Sequence, residues 1–188
     1  MVHGKNKALQ YRRKRLGLTN YGSRLGLLKS GKPRMVIRKS SRYLMLQLVE
    51  YLPDGDKVLV SVSSKSLSTL GWKFSYKNLP AAYLSGLLFG KKAMEKSKAA
   101  IVDIGSLTSK KEGVLYAAVK GAIDAGMDIP VSEEILPGED RISGKHIVEF
   151  GKKLDKEKYN KLFSGYNKEK LSVDKLPEEF EKVKAKIK

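Results

Sequence analysis

The chain has 188 residues, enough for one well-buried domain with extensions, and its 41% hydrophobic and 31% charged content suits a folded core carrying charged appendages. It contains no cysteine, which excludes disulfide frameworks, thiolate metal sites and cysteine nucleophiles; no apolar run approaches a membrane span or a secretory signal, so the cytoplasm is the expected compartment. The net charge of +18 calls for a phosphate-rich partner, and it is unevenly spread: the first 49 residues hold thirteen Lys and Arg and not one Asp or Glu.

Residues 1–32 read as a basic arm with short helical turns around 7–15 and 20–29, expected to order fully on a ligand. Arg12, Arg13, Arg15, Arg24, Arg34, Arg38 and Arg42 are seven of the eight arginines in the chain. Guanidinium groups fork onto phosphate oxygens and stack on bases, so this segment reads as a polyanion-binding surface. Gly17, Gly22, Gly26 and Gly31 interrupt any continuous apolar face, which argues against a membrane-surface helix and for nucleic acid. Tyr11 and Tyr21 sit among the arginines. Two uses are open to them: stacking on exposed RNA bases, or packing on the body.

Pro33 opens an α/β core expected over residues 33–130. Three short strands are predicted at 34–39, 43–51 and 57–63, the last with Val58, Val60 and Val62 on one face and Leu59, Ser61 and Ser63 on the other. Pro53, Asp54, Gly55 and Asp56 form the hairpin turn. The even spacing of Arg34 and Arg38 puts them on one face of the first strand, opposite Met35 and Ile37, and so continues the basic arm across the sheet. Replacing both with alanine is expected to weaken binding and its salt sensitivity without harming the fold. Residues 64–77 read as a loop. Asn78 is a plausible N-cap for a helix from Leu79 to about Lys96. The apolar run from Ala99 to Gly105 suggests a central, parallel strand interrupted by Asp103. Ser109 and Glu112 suggest a capping box for a helix with Val114, Leu115, Ala118, Val119, Ala122 and Ile123 on one face, stopped by Gly126. The expected architecture is a single sheet with two helices packed on it.

The remaining residues, 131–188, read as a helical C-terminal extension, with a turn at Pro137 and Gly138 and helices near 143–154, 155–164 and 176–187. Tyr159, Leu162, Phe163, Tyr166, Leu176 and Phe180 suggest docking on the body or on a partner protein.

A search for catalytic groups finds little. His3 and His146 are isolated, and no ligand spacing or nucleotide-binding glycine loop is present. Asp103, Asp124 and Asp128 allow a metal-dependent nuclease to be imagined, against a structural reading in which Asp103 accepts hydrogen bonds. A DNA-binding, chromatin-like protein is the other rival. No catalytic residue, metal set or cofactor is implied.

The stretches Thr19-Asn20-Tyr21, Arg24-Leu25 and Ser30 through Ser40 resemble the archaeal and eukaryotic form of the 5S-RNA-binding large-subunit ribosomal protein, the L-eighteen family. The likeness continues in Gly71-Trp72-Lys73, in Asn78 through Leu88 and in Leu136 through Ile147. The resemblance implies binding to 5S ribosomal RNA through the arm and one sheet face, further contact with the large ribosomal RNA at the central protuberance, neighbouring ribosomal proteins as partners, and no reaction. Carried residue by residue, it marks Arg12, Arg13, Arg15, Tyr21, Arg24, Lys32, Arg34, Arg38 and Arg42 as RNA contacts, the set the charge argument also selects. Trp72, Lys73 and Asn78 join them through the likeness alone, with Trp72 divided between stacking on RNA and filling a gap between loop and helix. Arg141 is open to Glu139, Asp140 or RNA.

Overall fold

The computed structural model of the chain describes residues 9–169 and 171–187; His3, Lys5 and Lys7 of the basic arm lie outside the described residues. Two short helices, α1 (Arg12–Arg15) and α2 (Tyr21–Leu28), fall on the two turns expected in the arm. Asn20 starts α2 by accepting a hydrogen bond from the Ser23 amide at 3.1 Å.

Strands β1 (Arg34–Lys39), β2 (Leu44–Leu52) and β3 (Gly55–Ser63) form an antiparallel meander, and β4 (Ile101–Asp103) joins β1 in parallel, giving the order β3-β2-β1-β4. The strand expected at the centre of the sheet thus stands at its edge. Its three residues pair with Arg34, Met35 and Val36 of β1 alone, and just before it Ala99 makes an isolated parallel bridge to Asp128, too short a contact to add a further strand.

Alternation in β1 and β2 sends Met35, Ile37, Leu44, Leu46 and Leu48 to one face, all fully buried. In β3 the predicted alternation fails at one position. Leu48 pairs with Val60 and Val49 with Val58, so Leu59 is an extra residue in a β-bulge. The bulge turns Val58 to the outer face, where it is 48% exposed, while Val62 stays in the core.

The inner face is covered by α3 (Leu79–Met94), capped at Asn78, whose Oδ1 accepts from the Ala81 amide at 2.9 Å. Residues 64–70, expected as loop, form a 3₁₀ turn because Ser63, Ser66 and Thr69 satisfy neighbouring backbone groups with their hydroxyls. Helix α4 (Val114–Asp124) lies along α3 rather than on the sheet. At their crossing a Cβ on Gly86 would overlap the Ala118 carbonyl, and one on Gly121 the Tyr83 carbonyl, so the two backbones touch. The expected capping box is absent. Gly113 is the N-cap, the Ser109 hydroxyl bonds to that of Tyr116, and Glu112 has φ +53° and faces Arg141, which settles the partner of that arginine at 3.6 Å.

The C-terminal region runs through α5 (Glu139–Ser143), α6 (Lys145–Lys152), α7 (Lys156–Leu162), α8 (Ser164–Lys168) and α9 (Leu176–Ile187). In α9, Leu176, Phe180, Val183 and Ile187 recur at helical spacing and are buried in the same core as the sheet and α3. Tyr166 accepts a hydrogen bond from the Ser75 amide and meets Phe74 edge to face. Tyr166, Leu176 and Phe180 therefore dock on the body, whereas Leu162 is 62% exposed.

Candidate nucleic-acid interface

The outer face of the sheet is built from the residues that alternation turns away from α3. Arg34, Val36 and Arg38 of β1 stand beside Val49, Gln47 and Met45 of β2, and the bulge adds Val58. Helix α2 lies across one side of this face, and between helix and sheet runs a groove of about 780 Å³. Arg13, Tyr21, Arg24, Arg34 and Arg38 all line it.

Three of these arginines do not face the groove as free cations. Arg24 grips Asp56 with both terminal nitrogens, at 2.8 and 2.9 Å. Asp56 also accepts from Arg34 at 2.7 Å; Arg34 reaches on to Asp103 at 2.8 Å, and Asp103 accepts from Arg38 at 3.1 Å. The result is an alternating ladder, Arg24-Asp56-Arg34-Asp103-Arg38, which ties α2, β3, β1 and β4 together. Three guanidiniums stand against two carboxylates, so the ladder retains a positive charge. The hydrogen bond from Arg24, aided by Arg34, holds the Asp56 carboxyl below its ordinary range, and the same bond raises Arg24.

Arg34 does not stand open on the basic sheet face that strand alternation predicts. Its side chain is 3% exposed, because the hairpin brings Asp56 over it from one side and β4 brings Asp103 from the other. Arg34 and Arg38 do lie opposite Met35 and Ile37, yet that face is not open at Arg34. The acids that engage the ladder arginines lie 22 to 69 residues away in sequence, which explains why the first 49 residues read as unopposed.

The other selected residues separate into two groups. Arg12 and Arg15 in α1 are exposed, as is Arg42 in the turn between β1 and β2; none of the three forms an ion pair among the described residues. Arg13 Nε donates to Thr19 at 2.9 Å, and Lys32 faces Asp128 at 3.8 Å, both near the surface. Tyr21 meets Tyr11 with ring centroids 5.5 Å apart, and Tyr11 remains 74% exposed. Trp72, Lys73 and Asn78 lie away from the groove. Trp72 is 1% exposed, packs against Phe74 and donates to the Ser75 carbonyl, so its ring fills the core and has no face for a base. Lys73 is exposed and its charge is felt by Glu179 of α9; Asn78 is occupied as the helix cap.

The three aspartates that allow a metal site to be imagined have three different duties. Asp103 holds Arg34, Arg38 and the Gly105 amide, Asp124 accepts from the Tyr83 hydroxyl at 2.7 Å, and Asp128 faces Lys32. Asp56, Gln47 and Gly105 are the groove residues that sequence reasoning passed over. Gln47 was within reach, since it alternates with the core residues Leu46 and Leu48. Asp56 read as a turn residue, and nothing local connects it to Arg24.

A model of the family described as ribosomal large subunit proteins 60S L5 and 50S L18 matches residues 5–101, just over half of the chain. The match takes in most of the arm, the antiparallel strands, α3 and the first residue of β4; the groove residues Val102 to Ser106 and the Leu136–Ile147 stretch lie beyond it. With cationic side chains gathered on an arm and a sheet face, and acids engaged by arginines, the chain belongs to this family of structural, ribosomal-RNA-binding proteins of the large ribosomal subunit, and not to a family of enzymes.

Proposed function

We propose that the chain binds 5S ribosomal RNA through the arm and the rim of the groove, and fastens it to the large-subunit RNA at the central protuberance. The observation that carries this reading is α1, whose four residues, Arg12, Arg13, Lys14 and Arg15, are all cationic, with no acid in the helix and none of the four buried. Like charges packed so closely repel one another, and a phosphate backbone removes that cost. Arg42 and Lys32 extend the cationic surface toward the sheet. The pairing of exposed Tyr11 with half-buried Tyr21 favours a ligand with unstacked bases, hence RNA loops over a DNA duplex.

Competition binding tests the reading. At moderate salt, 5S RNA is expected to displace an equal mass of duplex DNA from the full chain; equal competition would point to an unselective polyanion binder. Arg12→Ala, Arg13→Ala and Arg15→Ala combined are expected to lower the salt dependence of 5S binding by roughly one unit of slope per lost phosphate contact. An unchanged slope would remove α1 from the interface.

A further inference from the structure

Arg38 is placed unlike any other described cation of the arm and sheet. Its guanidinium donates from Nη1 to the Ile37 and Asp103 carbonyls, both at 2.9 Å, and from Nη2 to the Asp103 carboxylate at 3.1 Å. Three of its five N–H donors are thereby engaged within the protein. Gly105, at φ +63°, covers one side of the group. A Cβ built on Gly105 would stand 3.0 Å from Cζ and 3.1 Å from each terminal nitrogen, and this near-equality puts Gly105 over the flat face rather than at the edge. Yet the Arg38 side chain is 47% exposed and lines the groove. With three donors spent inside the protein and one face covered, what remains for a ligand is the opposite face, with Nε–H and one Nη2–H at its edge. That arrangement favours a group stacked on the open face over a phosphate gripped by the whole guanidinium.

The rest of the groove suits a base. Its volume of about 780 Å³ falls within the roughly 300–1,000 Å³ typical of small-ligand sites. Val36, Val49 and Val58 give it an aliphatic floor, Gln47 sets an amide in the middle of that floor, and Ser106 stands at the Gly105 end. Single-stranded RNA positions are read in this way, by splaying out a base, stacking it on an aromatic ring or an arginine plane, and hydrogen-bonding its edge. We infer that the groove takes one unpaired nucleotide of the RNA, its base lying on the free face of the Arg38 guanidinium with its edge toward Gln47. The inference rests on the RNA-binding function proposed above and assigns Arg38 a role different from that of the α1 arginines. Gly105 is then required twice, for its left-handed backbone and for leaving the plate flat.

The test uses the full chain and 5S RNA. Arg38→Lys keeps the charge and a partner for Asp103 but removes the plane; it is expected to weaken binding about tenfold, within the range for losing one stacked base, with the salt slope unchanged. Arg38→Ala is expected to weaken binding further, again with no loss of slope, and Gln47→Ala a few-fold. Thermal unfolding of each variant confirms that it is folded. Chemical probing of the RNA is expected to find one unpaired base protected by the wild-type protein and exposed again with Arg38→Lys. Binding by Arg38→Lys equal to wild type, or a slope reduced by one unit in Arg38→Ala, would overturn the inference by making Arg38 dispensable or a phosphate contact. Either result leaves the function proposed above intact, whereas failure of the wild-type protein to prefer 5S RNA would remove that function itself.

Discussion

Truncating Arg34 leaves two carboxylates without their shared partner. Asp103 is 7% exposed and keeps only Arg38 and the Gly105 amide, while Asp56 keeps only Arg24. Removing one member of a buried ion pair typically costs about 3–5 kcal/mol, since the remaining charge loses its compensation. Arg34→Ala is therefore expected to lower the unfolding free energy by about 3 kcal/mol in chemical denaturation. A loss below about 1 kcal/mol would mean that the ladder is loose. An Arg34 and Arg38 double alanine variant consequently reports on folding as well as on RNA, contrary to the expectation from strand alternation. Alternation names the face on which a side chain emerges; what approaches that face is set elsewhere in the chain.

The pairing of α3 with α4 rests on glycine in both helices. Gly121→Ala places a methyl against the Tyr83 carbonyl, a backbone atom that yields only if the helices part. Overpacking usually costs 1–3 kcal/mol, and a clash with backbone belongs at the upper end, so a loss of about 3 kcal/mol is expected on thermal or denaturant unfolding. Gly26 of α2 provides the contrast. A Cβ there meets nothing within 4 Å, and Gly26→Ala should not lower the melting temperature, since alanine favours the helix. If both variants behave alike, the close approach is not what joins α3 and α4. These helices were legible in outline from capping and periodicity: Asn78 caps α3 as its residue type suggests, and Gly126 ends α4 at φ +105°. The capping box was not. Ser109 finds a hydroxyl on Tyr116 and Glu112 an arginine on α5, and these contacts outbid a local motif of similar strength.

Across the molecule, the same ladder ties the arm to the body, and it depends on pH through Asp56. Its folded-state value is depressed, so the stabilisation it supplies is fully present above the unfolded carboxylate range near pH 4 and is lost as pH falls through the depressed value. Asp56→Asn should therefore be less stable than wild type at neutral pH, and the gap should close as pH drops below about 4. A gap that persists in acid would mean that packing, not charge, is the contribution of Asp56. The C-terminal helix shares the core with sheet and α3, through Phe180 against Tyr83 at 5.7 Å among other contacts.

Charge segregation, strand alternation and the helix stops are properties of neighbours a few residues apart, and the order of residues sufficed to read them. An exposed run such as Arg12 to Arg15 has no acid near it in sequence and forms no ion pair among the described residues, so its availability was legible from the start. Which cations stay free at Arg24, Arg34 and Arg38, which way Val58 points after the bulge, that β4 ends the sheet and that Trp72 is enclosed were settled by long-range contacts. Strand order and ion pairing join residues tens of positions apart, and no local periodicity encodes the partner.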